Sequence, residues 1–476
     1  MQRKAKETFD DSNGSGTGSG PSAGRNRDLR ITQIIRAAQQ TFQEDGYAAF
    51  TTRGVAGRVG ITLGNLQYYF RTKEDLLGAA LQAHMQQTLQ DYRAIAGRQG
   101  VGAAQRCSAL ADQIIRDIHE TDLARFMFEV WAFSRHEPYA TELVDETYTE
   151  CRRLFTYLLS EIHPTLAIEE CLARASVLIA QASGMMIFAR HGGDSDKDYA
   201  EFVRVTRRSV KLIIESPAQA LDHNASSCRS SHHRKDAGDR AQTLTSGPGA
   251  PLQQELFNLS NVKTRQDAYY RPTIQGKRRE VKINEIISTA ANLLASEGYA
   301  NFTQVRVAKE LGILPSALQN YFATRDDLLR STIDAMMKSY LDRYAEMGKP
   351  NGKPALERLC EIVEDAFEEA QNSKICRFSF EMFALAQHSD ITRELVKRLY
   401  STYRTIYVGL VREIDASATA RECLARATLI AAQMEGAATL MFGAQKQAPE
   451  VFRVFELMRA MTIRIAHGDF ATKDPT

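Results

Sequence analysis

GYAAFTTRGVAGRVGITLGNLQYYFRTKEDLL, residues Gly46 to Leu77, returns as GYANFTQVRVAKELGILPSALQNYFATRDDLL, residues Gly298 to Leu329. Of these 32 positions 17 are identical, all at an offset of 252. The same offset aligns Arg125-Phe126-x-Phe128-Glu129 with Arg377-Phe378-x-Phe380-Glu381. Further on it aligns Glu170-Cys171-Leu172-Ala173-Arg174-Ala175 with Glu422-Cys423-Leu424-Ala425-Arg426-Ala427. Register held over that distance means duplication of a whole module rather than of one motif.

Within the quoted stretch, Thr52 is placed to cap a short helix, Arg53 to Val59, that ends at the turn-tolerant Gly60. Thr62 is placed to cap a second helix running to about Phe70, with Leu66 and Phe70 pointing inward. Two short helices joined by a brief turn containing Gly form the helix-turn-helix pattern, whose second helix enters the DNA major groove. Thr72-Lys73-Glu74-Asp75 then has capping-box spacing for a fourth helix beginning at Lys73. Upstream, Ile31, Ile34, Ile35, Ala38 and Phe42 fall at helical spacing, and Ile283, Ile286, Ile287, Ala290 and Leu294 repeat the stripe. No alternating Val/Ile/Thr run argues for a sheet, so the chain reads as all-α.

Phe50-Thr51-Thr52-Arg53, Val55-Ala56, Gly60-Ile61, Leu66, Tyr69-Phe70 and Lys73-Glu74-Asp75-Leu76-Leu77 together closely resemble the signature of the tetracycline-repressor (TetR) family. The resemblance implies, twice over, a three-helix DNA-binding head followed by a helical regulatory and dimerisation body. In that family the body dimerises and encloses a small-molecule pocket, and ligand binding as a rule releases the DNA. Carried onto this sequence, the first groove-facing set is Leu63, Gly64, Asn65, Gln67 and Tyr68, with Thr52, Arg53, Thr62, Tyr69 and Lys73 on phosphates. The matching second set is Pro315, Ser316, Ala317, Gln319 and Asn320, with Gln304, Tyr321 and Arg325 on phosphates. Asn and Gln can pair bidentately with adenine, while Arg, Lys, Thr and Tyr reach backbone oxygens. Tyr69 has core packing as its competing role, and core packing is the expected role of Phe70.

The second head departs from the pattern at two places. Leu314 stands where Thr62 caps, though Pro315 still suits a first helical position, and Val305 stands where Arg53 is, with Arg306 and Lys309 nearby. Loss of a cap costs about 1 kcal/mol, which bears on affinity more than on fold. Arg25, Arg27 and Arg30 precede the first head, and Lys277, Arg278, Arg279 and Lys282 the second; each cluster is either solvated surface or a set of phosphate contacts.

The bodies carry apolar and aromatic side chains at helical spacing, most of which must be core. The candidates for lining an effector pocket are Phe128, Trp131 and Met185 in the first copy and Phe380, Phe383 and Met434 in the second. Glu129, Glu381, Gln181 and Gln433 recur inside apolar runs, where each needs a partner; a helix–helix hydrogen bond is the expected one. His136 and His388 also match, but one His per copy is no metal site. Ala173, Ala180 and Gly184 recur as Ala425, Ala432 and Gly436, permitting close helix approach. By the resemblance, that helix and the next, about residues 199–214 and 449–466, form a four-helix dimer-type interface. One chain supplies both halves, so an intramolecular pseudo-dimer is expected, its recognition helices about one DNA turn, roughly 34 Å, apart or a multiple of that. Pairing of two whole chains, giving four heads, is the other arrangement the repeat allows.

The expected layout is a flexible stretch at 1–24, a first head at 25–72, a first body at 73–216, a linker at 217–275, a second head at 276–324 and a second body at 325–468. Asp222 to Pro251 is rich in Ser, His, Gly and Ala, and cannot bury enough surface to offset its ordering entropy. About 60 residues of coil span about 40 Å, enough to set two modules side by side.

Bulk composition excludes little and adds little. Net charge is +2, so any DNA binding comes from local patches. The opening Met1-Gln2-Arg3-Lys4-Ala5-Lys6 leads into no signal-peptide core, and no run approaches the roughly 18 apolar residues of a membrane span. The seven cysteines are scattered and odd in number, which suits reduced thiols in the cytoplasm. No Ser-His-Asp framework, glycine-rich phosphate loop or metal-spaced Cys/His set can be placed; Cys228 with His232 and His233 falls in the expected linker. The reading is therefore a non-enzymatic, cofactor-free regulator, expected to repress, with a double-stranded DNA operator and a small-molecule effector as partners. The competing reading is a ligand-sensing or protein-interaction regulator whose second head no longer binds DNA.

Overall fold

A computed structural model describes residues 21–191, 195–218, 220–222, 277–441 and 449–471. Most of the N-terminal and linker stretches and the Cys228, His232 and His233 group fall outside them. Among the described residues every regular element is helical. The first copy holds α1 (Pro21–Ala49), α2 (Thr52–Val59), α3 (Leu63–Tyr69), α4 (Lys73–Ala96), α5 (Ala103–Glu120), α6 (Leu123–Phe133), α7 (Pro138–Ile162), α8 (Ile168–His191) and α9 (Asp196–Glu215). The second repeats this order as α10 (Lys277–Asn301), α11 (Gln304–Glu310), α12 (Pro315–Gln319), α13 (Arg325–Gly348), α14 (Ala355–Ala370), α15 (Ser373–His388), α16 (Asp390–Ile414), α17 (Ala420–Gly436) and α18 (Pro449–His467). The chain is all-α and consists of two tandem modules.

Local signals in the sequence explain most helix ends. The cap of α2 is Thr51, one residue earlier than expected: its hydroxyl accepts from the Gly54 amide at 3.1 Å, and Thr52 is already helical. Thr51 wins because α2 needs an extended residue whose oxygen reaches back to the third amide, and Thr303 does the same for α11. Thr62 caps α3 through the Asn65 amide at 3.2 Å. Thr72 and Asp75 close a full capping box on α4, as Thr324 and Asp327 do on α13. α12 has no side-chain cap at Leu314 and is five residues long, starting on Pro315.

α1 and α10 each break at a glycine, Gly46 with φ +70° and Gly298 with φ +74°. Only glycine adopts such angles without strain, and the break turns the chain from the long first helix into the helix-turn-helix.

The buried side chains of both copies belong to one continuous apolar core. α8 is apolar nearly all round; by length and composition Ile168–Ala189 could cross a membrane, yet 89% of its most apolar window is buried against protein. Such a helix fits a core position. It packs on α7 of its own copy and crosses α17, its counterpart, with α9 and α18 beside them. At the crossing the Gln181 amide donates to Gln433 Oε1 at 3.0 Å, a bond between residues at the same place in each copy. Ser209 completes the first amide's bonds, and Met458 carbonyl with Thr462 the second's. Gly184 and Gly436 lie where a Cβ would overlap the carbonyls of Ala432 and Ala180, so here the two backbones touch. The expected small-residue helix and its successor do meet across the copies.

The repeat pattern alone does not announce a second patch between copies. α6 packs on α15, setting the tilted rings of Phe128 and Phe383 5.4 Å apart and those of Trp131 and Phe380 5.3 Å apart between centres. Arg453 adds ion pairs to Glu170 at 2.7 Å and Asp222 at 3.0 Å, and Arg421 pairs with Asp198 at 3.1 Å. The six cysteines among the described residues are free thiols.

Candidate functional site

α3 carries the first candidate DNA surface. Gly64, Asn65, Gln67 and Tyr68 are exposed, Tyr68 at 73%, while Leu66 is fully buried and anchors the helix to the head. Leu63 is half-buried. A tyrosine left that open on a short helix contributes little to folding and offers a hydroxyl at its tip. Tyr69 is half-buried with its ring 5.1 Å from that of Tyr68, and Phe70 is half-buried rather than fully in the core. Phe70 is the C-terminal cap residue of α3, and its counterpart Phe322, also past the end of its helix, is the one fully enclosed.

Of the phosphate candidates, Arg53 and Thr62 are exposed and Thr52 is half-buried. Lys73 is placed differently. Its ammonium donates to the Tyr47 carbonyl at 3.3 Å and lies 4.2 Å over that ring, and burial lowers its pKa. Arg325 takes the same post, donating to the Tyr299 carbonyl at 2.7 Å and lying 4.0 Å over its ring. Both cations therefore brace the glycine break.

In the second head Ser316, Gln319 and Asn320 are exposed, and Pro315, Ala317 and Tyr321 are half-buried. Gln304 turns inward and donates to the Phe322 carbonyl at 2.8 Å. Arg306 is held by Glu297 and, at 2.8 Å, by Glu310. Val305 and Leu314 are exposed at 63% and 72%, which puts apolar surface where the first head has Arg53 and Thr62. Arg279 lies 4.8 Å over the Tyr321 ring and Lys282 pairs with Glu285 at 2.8 Å, whereas Arg25 and Arg27 are exposed.

The heads are tied to the opposite copy's body. The Glu129 carboxylate accepts from the Tyr47 amide at 3.1 Å, just past the Gly46 break, and bonds His388 of the other copy at 2.8 Å. Glu381 accepts from the Tyr299 amide at 2.9 Å and bonds His136 at 2.7 Å. The two struts are reciprocal. Their signal was present in the sequence, since Glu and His recur seven residues apart in both copies, but the repeat alone does not say that the pairs cross between copies.

Each body holds a cavity at the same place. The first encloses about 550 Å³ of space including its mouth, between Met85, Leu89, Tyr92, Tyr148 and Ser183. The second encloses about 770 Å³ and is lined by Tyr340, Tyr344, Tyr400, Tyr403 and Glu435. Phe380, Phe383 and Met434 line this second cavity. Met185 lines a smaller hollow beside α9. Phe128 and Trp131 line none of these spaces; their rings lie in the interface between copies. Among the described residues no group of three His, Cys, Asp or Glu side chains is placed to hold a metal.

Residues 34–80 and 286–332 each match the family described as bacterial regulatory proteins, tetR family. Both matches begin inside the long first helix and end inside the fourth of a copy. An HTH-type transcriptional regulator BetI of Escherichia coli O17:K52:H18 is 30% identical over 169 residues, 35% of this chain and 84% of that protein. The BetI regulators of Stenotrophomonas maltophilia and Paraburkholderia phymatum are 29% and 27% identical, over 33% and 40% of this chain and 80% and 96% of their own length. Each relative is thus matched over most of its length by well under half of this chain.

Proposed function

The chain belongs to the tetR family of bacterial regulatory proteins, a DNA-binding transcription regulator, and from that premise we propose that it acts in the cytoplasm as a single-chain, effector-responsive repressor. In this reading one polypeptide forms a pseudo-dimer and presents α3 and α12 to the two halves of one operator. The observation that carries it is the Gln181–Gln433 bond between equivalent positions, flanked by two glycines that let α8 and α17 touch. The interface of an ordinary two-chain regulator is here filled from within. Leu63, Gly64, Asn65, Gln67 and Tyr68 read the first half-site, and Pro315, Ser316, Ala317, Gln319 and Asn320 the second. Arg53, Thr52, Thr62, Tyr69 and Tyr321 hold phosphates.

The two half-sites differ in this reading because Ala317 stands for Asn65 and Asn320 for Tyr68. Selection from a random duplex pool therefore returns an imperfect palindrome. Asn65→Ala weakens binding by about 1–3 kcal/mol and relaxes preference in one half-site only. A perfect inverted repeat, or relaxation in both halves, contradicts the reading.

A second reading has its own support: the second head reads no DNA. Its recognition helix is five residues long and uncapped, Gln304 and Arg306 are engaged within the head, and Val305 and Leu314 are exposed. Salt dependence separates the two. Each phosphate that the protein neutralises steepens the slope of log K against log salt by about 0.9. Arg278→Ala together with Arg279→Ala flattens the slope when the second head binds and leaves it unchanged when that head is idle.

A further inference from the structure

The duplication gives each cavity an internal control. At the offset of 252, Tyr400 matches Tyr148 and Tyr344 matches Tyr92, so both cavities keep these two rings. Around them the chemistry has parted. Glu435 stands for Ser183, Tyr403 for Cys151 and Tyr340 for Thr88. In the first copy the Tyr148 hydroxyl meets Ser183 Oγ at 3.2 Å, a neutral pair. In the second the Tyr400 hydroxyl donates to Glu435 Oε2 at 2.8 Å, and the Tyr403 hydroxyl nearby pairs with that of Tyr407 at 2.8 Å.

A carboxylate enclosed by protein without a cation is costly. The charged residues that line this cavity are Glu369 on α14 and Glu435 on α17, and Arg343 on α13 bonds Glu369 from beside it together with Asp365. Arg343 pairs with Asp365 at 3.1 Å and with Glu369, so its charge is already met twice over. Tyr344 donates to Glu369 at 2.5 Å. Glu435 has only tyrosine hydroxyls, and among the described residues it forms no ion pair. Burial pushes its carboxyl up to about 7, within reach of ionisation when a positive charge arrives. Packing alone does not call for a Glu here, since the first copy fills the same place with Ser183.

The tyrosines supply the rest of a cation site. Tyr344 and Tyr403 lie 5.6 Å apart between ring centres, and Tyr400 and Tyr403 6.2 Å apart nearly at right angles. Rings set at an angle around a carboxylate present faces and oxygens to one positive centre, as aromatic cages do for ammonium groups. The charged lining of the cavity is acidic: Glu369 is met by Arg343, and Glu435 by no cation among the described residues.

We propose that the second body, and not the first, binds an amphipathic organic cation, its positive centre against Glu435 and its apolar part among Tyr340, Phe380 and Phe383. The first cavity, with Ser183, Cys151 and Thr88, is left for neutral apolar molecules. The binding claim stands on the cavity itself; its regulatory consequence rests on the effector-responsive reading above.

Calorimetric titration of the full chain with benzylammonium, benzyl alcohol and benzoate tests it, since the three share a shape and differ in charge. Benzylammonium binds at one site per chain, at least tenfold tighter than benzyl alcohol, and benzoate not measurably. Glu435→Gln, which keeps the shape, abolishes that preference; Tyr340→Thr, which installs the first copy's residue at a half-buried position, weakens benzylammonium and benzyl alcohol together and leaves the preference in place. Equal affinity for cation and alcohol, two equivalent sites, no heat with benzylammonium, or a preference surviving Glu435→Gln would overturn the proposal. Operator release is measured on the same samples. Benzylammonium that binds at Glu435 without releasing DNA refutes the effector reading and leaves the cation site standing, whereas release that persists in Glu435→Gln refutes the site instead.

Discussion

Gly184→Ala is expected to weaken operator binding at least about 100-fold, approaching the affinity of one head alone. A Cβ at Gly184 falls inside the contact radius of the Ala432 carbonyl, and one at Gly436 inside that of Ala180. Both obstacles are backbone, so no side chain can swing aside. α8 and α17 must move apart, and with them the Gln181–Gln433 bond, whose amides are enclosed on all sides. Overpacking of this kind costs about 1–3 kcal/mol before the broken hydrogen bond is added. The modules remain tethered, so the loss appears in DNA affinity and hydrodynamic radius more than in helix content. Gly409→Ala is the control: Gly409 is exposed on α16 with nothing within 4 Å of its Cβ, and neutrality or a slight gain in stability is expected. Wild-type affinity in Gly184→Ala would show that the crossing does not set the spacing of the heads.

The second large effect belongs to the struts. Glu129→Ala leaves the Tyr47 amide and the His388 ring without their buried acceptor, at about 1–3 kcal/mol. The loss sits at the Gly46 break, where the head meets the body, and the ring of His388 already lies so close to Gly46 that no Cβ fits. Operator affinity falls at least tenfold in Glu129→Ala and again in Glu381→Ala, while the body's unfolding temperature shifts little. A double-mutant cycle of Glu129→Ala with His388→Ala yields a coupling of at least about 0.5 kcal/mol, since the groups touch directly. Additive effects, or full DNA affinity in Glu129→Ala, would mean that the strut between copies does not orient the head.

The heads are legible in the sequence because each helix end there has a local cause. Thr62 and Thr72 act on amides one turn away, Pro315 fixes its own φ at a first helical position, and Leu66 lies on a short helix whose period is plain. The cap of α2 falls on Thr51 rather than Thr52 because two adjacent threonines compete for it, and backbone angles decide between them. The close crossing of α8 and α17 is legible in the recurring Ala173, Ala180 and Gly184, because small residues have few other uses at those spacings. Phe128 and Trp131 read as pocket candidates, since nothing in a helical stripe distinguishes a wall of a cavity from a face toward another helix. That distinction depends on the angle between helices far apart in sequence, as does the crossing of His136 to Glu381. The contrast between Glu435 and Ser183 needs the cavities first; only their shared location gives the difference meaning.

One measurement bears on the central claim most directly: the mass of the protein by light scattering, free and on its selected operator. A single chain of 53.2 kDa on one duplex is the predicted result. Two chains on that duplex would contradict it, since the duplicated heads would then serve four half-sites or stand idle in pairs.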